Sequence, residues 1–492
     1  MRWTRFIYPR TAWLGAALAL VAPASVAHAS GLLVARFGGE WGNPMTDHLA
    51  ALYYNPAGLA LLDGTQLQLD GSFALRSFTY DRDPGAIDNI ITGDPSVGAG
   101  TPDGEGVAAN SGKASLTNFL VTPFFAVGSD FGIPGFGAAL GLYVPIGGQT
   151  VFDKADASNT FPGAVDGPAR WWTIEGTARS IYGSAAAAYR IPSLRLSIGV
   201  ALDLVYSQID NVQARNTDGT DHLVVNGNLQ EGRVRIDVSS IDVGLGVGLM
   251  YEPIENLFVG LSYRSQPNFG EQRLTGDTQL LLGGGPAADD LSTPSEVRQQ
   301  MPDVVRFGVR YTQPKAWEVR VFGDWARWSV LDKQCVLNAT VADRSCKGDF
   351  PPGKILIIPR AWHDGWEVRA GGSYWLSPGA ELAFGAGYDS NAVPDKAIEP
   401  AFYDTEKMTL SLGLRLDLTD ALNLEATYTQ VIYFDRTVAP RGRVPVDAAD
   451  PHGATKTDLS GTGFPESWRV PDSAGTYRQA IGLLEVGLTY KF

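Results

Sequence analysis

Residues 407–418 have the sequence KMTLSLGLRLDL, and this stretch decides the fold. Large apolar side chains occupy every second position, namely Met408, Leu410, Leu412, Leu414, Leu416 and Leu418. The positions between them are polar or small, namely Lys407, Thr409, Ser411, Gly413, Arg415 and Asp417. Successive side chains of a strand point to opposite faces. The pattern therefore predicts a strand with one apolar and one polar face, about as long as a membrane-crossing strand of roughly ten residues.

The end of the chain repeats this alternation. In residues 477–492, side chains such as Leu484 and Leu488 point one way, and Glu485 and Lys491 point the other. The chain ends on Phe492. This resembles the terminal signature of bacterial outer-membrane barrels, which their barrel assembly machinery recognises, so we expect that machinery and outer-membrane lipid as partners.

Fourteen segments carry such patterns and are predicted as strands. Short turns at 191–194, 253–256, 377–379 and 419–421 alternate with long polar connections, as is typical of outer-membrane barrels. No later segment has the roughly eighteen consecutive apolar residues of a membrane-spanning helix, so a chain that spans a membrane has to close as a barrel. The sequence predicts an all-β, 14-stranded antiparallel transmembrane β-barrel in the outer membrane of a Gram-negative bacterium. The predicted strands are 65–80, 116–128, 135–147, 176–190, 195–209, 235–252, 257–280, 297–313, 316–330, 363–376, 380–391, 406–418, 422–438 and 477–492.

The N-terminus has the pattern of a signal peptide. Three arginines in the first ten residues precede an apolar run at 12–26, and Ala27-His28-Ala29 offers the small residues that a signal peptidase needs. We expect residues 1–29 to be removed; an uncleaved membrane anchor is the alternative. The formal net charge is −14 and becomes −17 without those arginines. A chain this acidic is not expected to bind nucleic acid.

Residues 49–62, LAALYYNPAGLALL, predict a short helix that ends before a proline. Because a barrel of fourteen strands is too wide for its wall side chains to fill, residues 30–63 are predicted to form a hatch inside the barrel of residues 64–492. A helical cap on a soluble β domain is the alternative. The candidate hatch and gating residues are Asp47, Asn55, Pro56, Ala57 and Gly58.

Several short motifs together resemble the FadL family of outer-membrane transporters for hydrophobic compounds, which includes long-chain fatty acid and aromatic-hydrocarbon channels. The resemblance covers nearly the whole mature chain. It rests on the order and spacing of the motifs more than on any one of them. The motifs are Gly39-Glu40, Asp47, Asn55-Pro56-Ala57, Ala188-Tyr189-Arg190, Ser197 with Gly199, Leu261 to Ser265, WARWS at 325–329, DSNAVP at 389–394 and DTEKMTLSLG at 404–413.

The resemblance implies passive uptake of a hydrophobic small molecule, with release sideways into the membrane. It places an exit gap at a kink in the third strand, where the candidates are Pro134, Gly135, Pro145 and Gly147. Such proline and glycine positions are also ordinary turn residues. The resemblance also implies a groove between the outer loops that captures the substrate. The candidate residues for this groove are Leu280, Leu281, Leu282 and Leu291, although exposed leucines of this kind often only pack a loop against itself.

Arg264 and Arg306 are candidates for polar groups in the lumen, although either can instead balance a wall carboxylate such as Asp324. Fatty-acid members of the family hold the carboxylate with basic residues, one near the end of the fifth strand. Residues 207–210 here read Ser-Gln-Ile-Asp, without a basic residue. A neutral hydrophobic substrate therefore remains open beside a fatty acid.

Cys335 and Cys346 are the two cysteines, and both lie in the predicted loop between Ser329 and His363. Because exported proteins mature in an oxidising compartment, we expect them to form a disulfide that stiffens this loop.

No catalytic site, metal site or cofactor is expected. After the signal peptide the histidines are His48, His222, His363 and His452, without metal-ligand spacing. His363 near Ser373 is a near miss for a barrel lipase. A general water-filled porin for small polar solutes is the alternative function, and an adhesin or structural barrel comes third.

Overall fold

The wall of the protein is one antiparallel β-sheet whose first and last strands pair with each other. The computed structural model describes residues 36–87, 105–155, 161–216, 220–221, 223–225, 228–229, 231–281, 291–348, 350–440 and 470–492. Its strands are β1 (Thr65–Arg82), β2 (Gly112–Ser129), β3 (Phe136–Val151), β4 (Glu175–Ile191), β5 (Leu196–Arg215), β6 (Val224–Val225), β7 (Asn228–Leu229), β8 (Gly232–Ile254), β9 (Leu257–Arg264), β10 (Glu271–Leu281), β11 (Leu291–Gln300), β12 (Val304–Gln313), β13 (Trp317–Ala326), β14 (Lys333–Asn338), β15 (Lys354–Pro359), β16 (Gly365–Ser377), β17 (Ala380–Asp389), β18 (Lys407–Asp417), β19 (Leu422–Tyr433), β20 (Arg436–Val438) and β21 (Gly475–Lys491).

These strands make a closed barrel with fourteen staves, where a stave is one complete crossing of the wall, formed by one strand or by two consecutive strands. β1 pairs with β21 from Gln66 opposite Lys491 to Arg82 opposite Gly475, so the sheet has no free edge along this seam. The prediction of a 14-stranded antiparallel barrel is confirmed. Around the wall the staves are β1, β2, β3, β4, β5, β8, β9 with β10, β11 with β12, β13, β16, β17, β18, β19 and β21.

The outer face of the barrel is apolar, as the alternation predicts. In β18, Met408 and Leu412 are exposed, whereas Lys407 and Thr409 are buried on the other face. In β21, Leu484 is exposed on the outside. An exposed apolar belt of this kind is typical of a transmembrane barrel, whose outer face contacts the hydrocarbon chains of the lipid.

Two predicted strands are divided in the structure. Segment 257–280 forms β9 and β10, separated by a turn at Pro267–Phe269. Segment 297–313 forms β11 and β12, with Pro302 between them. Proline cannot donate to a strand ladder, so both interruptions have the same cause.

A hairpin also extends the wall where a loop is predicted between Ser329 and His363. β14 pairs with β11 and with β15, so this segment continues the sheet beyond the barrel rim. The strands β5 and β8 likewise run further into the predicted loop at 210–233.

Helices are short. The α-helices are α1 (Ala51–Tyr54) and α2 (Glu105–Asn110). In the described part of the chain, no helix has the length and hydrophobicity needed to cross a membrane. The predicted signal peptide lies outside the described residues. The 3₁₀-helices are Gly39–Trp41, Pro56–Leu61, Pro84–Ala86, Pro162–Asp166, Pro168–Trp171, Pro192–Leu194, Pro267–Phe269, Trp328–Val330 and Asp395–Ala397.

The lipid-facing side of β18 gives a prediction about stability. Leu412, at the middle of the strand, is 58% exposed. Because a cation at the bilayer midplane is poorly solvated, Leu412→Arg should lower the free energy of unfolding by about 2–4 kcal/mol, measured by urea unfolding in lipid vesicles. The matched change Leu418→Arg at the rim should cost only about 0–1 kcal/mol. Equal losses at both positions would contradict the assigned depth.

Candidate functional site

Residues 36–62 form an inner segment packed against the inward-facing side of the wall. The Gly39 backbone N–H donates to Glu485 of β21 at 2.8 Å. The Trp41 indole N–H donates to Glu381 of β17 at 2.7 Å. Asn55 donates to the carbonyl of Leu249 in β8. These strands lie on different sides of the closed sheet, so the segment is enclosed by it. Residues 30–35 lie outside the described residues, and the function of the segment as a hatch stays a prediction.

Two glycines of the wall allow the inner segment to approach closely. A β-carbon on Gly199 would lie 2.3 Å from the Ala57 backbone nitrogen. A β-carbon on Gly248 would lie 1.9 Å from the Asn55 side-chain oxygen. Any larger residue at either position would displace the segment. The wall is therefore shaped to this segment.

Asn55 fixes the turn between α1 and the following 3₁₀-helix. Its side-chain oxygen accepts from the Ala57 N–H at 3.1 Å. Its amide nitrogen donates to the Pro44 carbonyl at 2.8 Å and to the Leu249 carbonyl at 3.0 Å. One buried side chain thus joins two parts of the segment to the wall. The helix ends at Tyr54, with Asn55 as its C-cap and before Pro56, as the sequence predicts.

Arg264 holds the C-terminal end of α1. Its guanidinium donates to the Leu52 carbonyl at 2.7 Å, which has no partner within so short a helix. It also forms a 2.5 Å ion pair with Asp203, whose side chain is fully buried. Tyr143 of β3 accepts a further bond from Arg264 at 2.8 Å. The arginine therefore connects the inner segment to three different strands.

Arg306 and Arg310 act similarly from β12, the strand that pairs with the strand of Arg264. Arg306 donates to the Tyr53 carbonyl at 3.3 Å and pairs with Asp324 at 3.0 Å, which is the balancing role considered from the sequence. Arg310 pairs with Asp47 at 2.8 Å. Arg264 and Arg306 thus face the lumen, but their described contacts hold the segment and neutralise wall carboxylates.

A largely apolar pocket lies in the half of the barrel that carries the long connections. Its cavity volume is about 70 Å³, and it is partly open to solvent. Its walls come from β3, β4, β5, β8, β11, the β14–β15 hairpin and the connections at 171–173 and 399–402. Sequence analysis missed it, because no single segment carries its lining. The apolar lining residues include Trp171, Trp172, Ile209, Ile236, Val297, Val336, Ile358 and Phe402.

The charged residues that line this pocket pair with protein partners. Arg360 is its one cationic side chain among the described lining residues. It donates to Glu399 at 2.5 Å and to Gln334 at 2.6 Å. Asp210 pairs with Arg235 at 3.0 Å. The pocket thus presents an apolar surface and groups that are already satisfied.

The wall is interrupted beside the pocket. β2 and β3 pair from Ser129 opposite Ala138 to Phe124 opposite Tyr143, and no further pair between these strands is formed in the described wall. The pairing of β3 with β4 also shifts between Tyr143 and Ile146. Proline removes a ladder donor there. Farther out, Asn118 donates to the Gln149 carbonyl at 2.7 Å and bridges the strands again.

The structure places the four exit candidates in two locations. Pro145 and Gly147 lie in the interrupted part of β3, and the next residue, Gly148, lines the pocket. Pro134 and Gly135 lie in the turn between β2 and β3, where Gly135 has φ of 75°. The latter two are turn residues.

The predicted leucine groove stays a prediction. Leu280 packs against a cluster that includes Val234 and Leu274, whereas Leu281 is exposed. Neither Leu280 nor Leu281 lines the pocket. The backbone of Leu280 pairs with that of Leu291 across the hairpin of β10 and β11, so this segment extends the wall as a sheet. Leu282 lies outside the described residues.

The predicted disulfide is not formed in this structure, in which Cys335 and Cys346 are free cysteines, and it stays a prediction. The two side chains pack together beside Leu337 and Ile357. The interaction between the two thiols raises the pKa of Cys335 and lowers the pKa of Cys346. Since the thiolate is the form that reacts in disulfide chemistry, Cys346 is the more reactive thiol of the two.

The two described histidines lie in different parts of the structure. His48 belongs to the inner segment and His363 precedes β16, whereas His222 and His452 lie outside the described residues. Within the described ranges, no three His, Cys, Asp or Glu side chains are grouped so that they could hold a metal ion.

A closed barrel of fourteen staves with an apolar outer belt and an enclosed segment defines a class of outer-membrane transport proteins. A family model described as outer membrane protein transport protein (OMPP1/FadL/TodX) matches residues 16–463. The chain belongs to this family, and it is an outer-membrane protein.

Known proteins resemble the chain over most of its length. A putative outer membrane protein of Neisseria meningitidis serogroup B is 24% identical over 410 residues, which are 78% of this chain and 80% of that protein. The crystal structure of a Pseudomonas aeruginosa FadL homologue has a TM-score of 0.69 and 16% identity, covering 92% of this chain and 98% of that one. The P. putida toluene transporter TodX has a TM-score of 0.56 and 16% identity, covering 90% and 94%. The two solved structures show likeness of fold.

Asn55 gives a prediction about the inner segment. Asn55→Ala leaves the Pro44 and Leu249 carbonyls without this donor, so it should reduce local stability by about 1–3 kcal/mol. Amide hydrogen exchange over residues 44–58 should then be faster while the barrel strands keep their protection. Asn55→Asp keeps the acceptor for the Ala57 N–H but places a buried carboxylate oxygen against the Pro44 and Leu249 carbonyl oxygens, so it should accelerate exchange at least as much. Exchange at the wild-type rate in both variants would contradict the role of Asn55.

Proposed function

We propose that this protein carries hydrophobic compounds, such as hydrocarbons or long-chain fatty acids, passively through the outer membrane. The molecule binds in the apolar pocket and leaves sideways into the membrane through the interruption between β2 and β3. Outer-membrane lipid is then the immediate acceptor. The barrel assembly machinery is a further partner, proposed from the terminal Phe492 alone.

The observation that carries the proposal is that the pocket and the interruption adjoin. Gly148 and Thr150 of β3 line the pocket, and both follow the residues at which β3 separates from β2. A hydrophobic molecule gains free energy at each stage, because it leaves water for an apolar pocket and then for lipid. A route down the lumen would instead cross charged pairs such as Arg264 with Asp203.

The known relatives support the same class of cargo. TodX is a toluene transporter by its name. Toluene is neutral and apolar, and it suits a pocket with aromatic walls at Trp171, Trp172 and Phe402. We therefore propose neutral, apolar compounds as substrates of this protein as well.

A general water-filled porin fits the structure less well. Porins need an open aqueous lumen, and here residues 36–62 bond to β8, β17 and β21 across the interior. We therefore propose that this segment is a hatch that keeps the lumen closed to small polar solutes.

Deletion of residues 30–62 tests the hatch. The deletion should leave a folded, heat-modifiable barrel that conducts small ions in planar bilayers, because a lumen of this width is not filled by its wall. The intact protein should conduct little and still accelerate uptake of hydrophobic molecules into vesicles. Large steady conductance of the intact protein, unchanged by the deletion, would favour the porin.

A crosslink across the interruption tests sideways release. In a Cys335→Ser, Cys346→Ser background, Thr122→Cys with Pro145→Cys joins the positions that would pair if the β2–β3 register continued beyond Phe124 and Tyr143. Oxidation should block uptake of a hydrophobic probe, and reduction should restore it.

The matched control joins strands that are already paired. Phe125 and Leu142 face each other in the β2–β3 ladder and are both exposed on the outer face. Phe125→Cys with Leu142→Cys should therefore form a crosslink without reducing uptake. Full uptake through the first crosslinked protein would mean that the cargo leaves by another route.

A further inference from the structure

The pocket has one cationic side chain among its described lining residues, and that side chain is already neutralised. Arg360 follows β15 and is only 2% exposed. Its Nη1 donates to Glu399 Oε1 at 2.5 Å, and its Nε and Nη2 both donate to Gln334 Oε1, at 2.8 and 2.6 Å. Its guanidinium also lies 4.3 Å from the centre of the Phe402 ring. Its N–H donors and one face of its plane are thus occupied by protein groups.

We propose that Glu399 determines the charge specificity of the pocket. By pairing with Arg360, it leaves a pocket that accepts uncharged hydrophobic molecules and rejects those with a carboxylate. This inference rests on the proposed function, and it narrows the cargo named there for the same pocket to uncharged hydrophobic compounds, excluding ionised fatty acids.

The chemistry of arginine supports the assignment. A guanidinium in an apolar site is a strong carboxylate receptor, because its planar donors match the two carboxylate oxygens. Arg360 has this character and lines the pocket. Glu399 supplies the carboxylate from within the protein, so a carboxylate on the cargo has no cation to bind. An incoming anion would also be repelled by Glu399 itself.

Glu399 is placed by its own segment. The carbonyl of Ile398 accepts from the Ser473 hydroxyl, and Ile398 itself is 1% exposed. Glu399 forms an isolated bridge with Phe402, which packs against Trp362. These contacts fix the position of the carboxylate before any cargo arrives.

The test compares two probes that share a chain and differ in head-group charge, 1-dodecanol and dodecanoate. Binding of each to the full-length protein in detergent is measured by titration calorimetry at neutral pH. Wild-type protein should bind dodecanol more tightly than dodecanoate. Glu399→Gln should shift the ratio of affinities towards dodecanoate by roughly tenfold or more, because the positive charge of the buried guanidinium is then no longer neutralised within the protein and can be neutralised by the ligand.

Two variants control the experiment. The double variant Glu399→Gln, Arg360→Gln removes the receptor as well, so the shift towards dodecanoate should disappear. Glu296→Gln removes another buried carboxylate that neutralises an arginine, Arg344, outside the pocket, and should leave the ratio at its wild-type value. Heat-modifiable migration shows which variants fold.

The outcomes separate this inference from the proposed function. If wild-type protein binds neither probe, the proposed function fails and this inference fails with it. If it binds dodecanol and dodecanoate equally, the specificity assignment alone is overturned, whether or not Glu399→Gln folds. A folded Glu399→Gln protein with an unchanged ratio would also overturn it.

Discussion

Backbone hydrogen bonding in lipid is the constraint on which this structure depends. A strand edge left unpaired in the membrane would expose polar groups that lipid cannot satisfy, so the sheet has to close. The pairing of β1 with β21 achieves this closure. With fourteen staves, closure leaves an interior wider than the wall side chains can fill. The inner segment, the paired charges and the apolar pocket all occupy that interior.

Two kinds of packing share this interior. Around the inner segment, charged groups are buried in pairs, such as Arg264 with Asp203, and bond to the backbone of α1. Such pairs add little net stability, but losing one partner is costly, so they specify position more than they stabilise. In the other half, aromatic and aliphatic side chains surround the pocket. The interior therefore divides into a polar region that holds the chain and an apolar region open to a ligand.

The alternation of apolar and polar residues was sufficient to predict the staves, because one face of each must suit lipid. It could not show where a stave is interrupted by Pro267 or Pro302. Asn55 was identifiable because its bond to Ala57 is local in sequence. The pocket was not, because Trp172, Ile236 and Phe402 come together only in the folded barrel. Proline and glycine likewise mark both turns and interruptions, so Pro134 and Pro145 could not be distinguished in advance.

The seam between the first and last staves also governs how the protein is made. Gln66 pairs with Lys491, so the wall cannot close until the whole chain has been exported. Contacts this distant in sequence form slowly, because closing a very long loop lowers the chain entropy before the new contacts can stabilise the fold. The inner segment precedes β1 and is enclosed by the finished wall. It must therefore take its place while the sheet is still open, and its charged partners on β9 and β12 are available to guide it there.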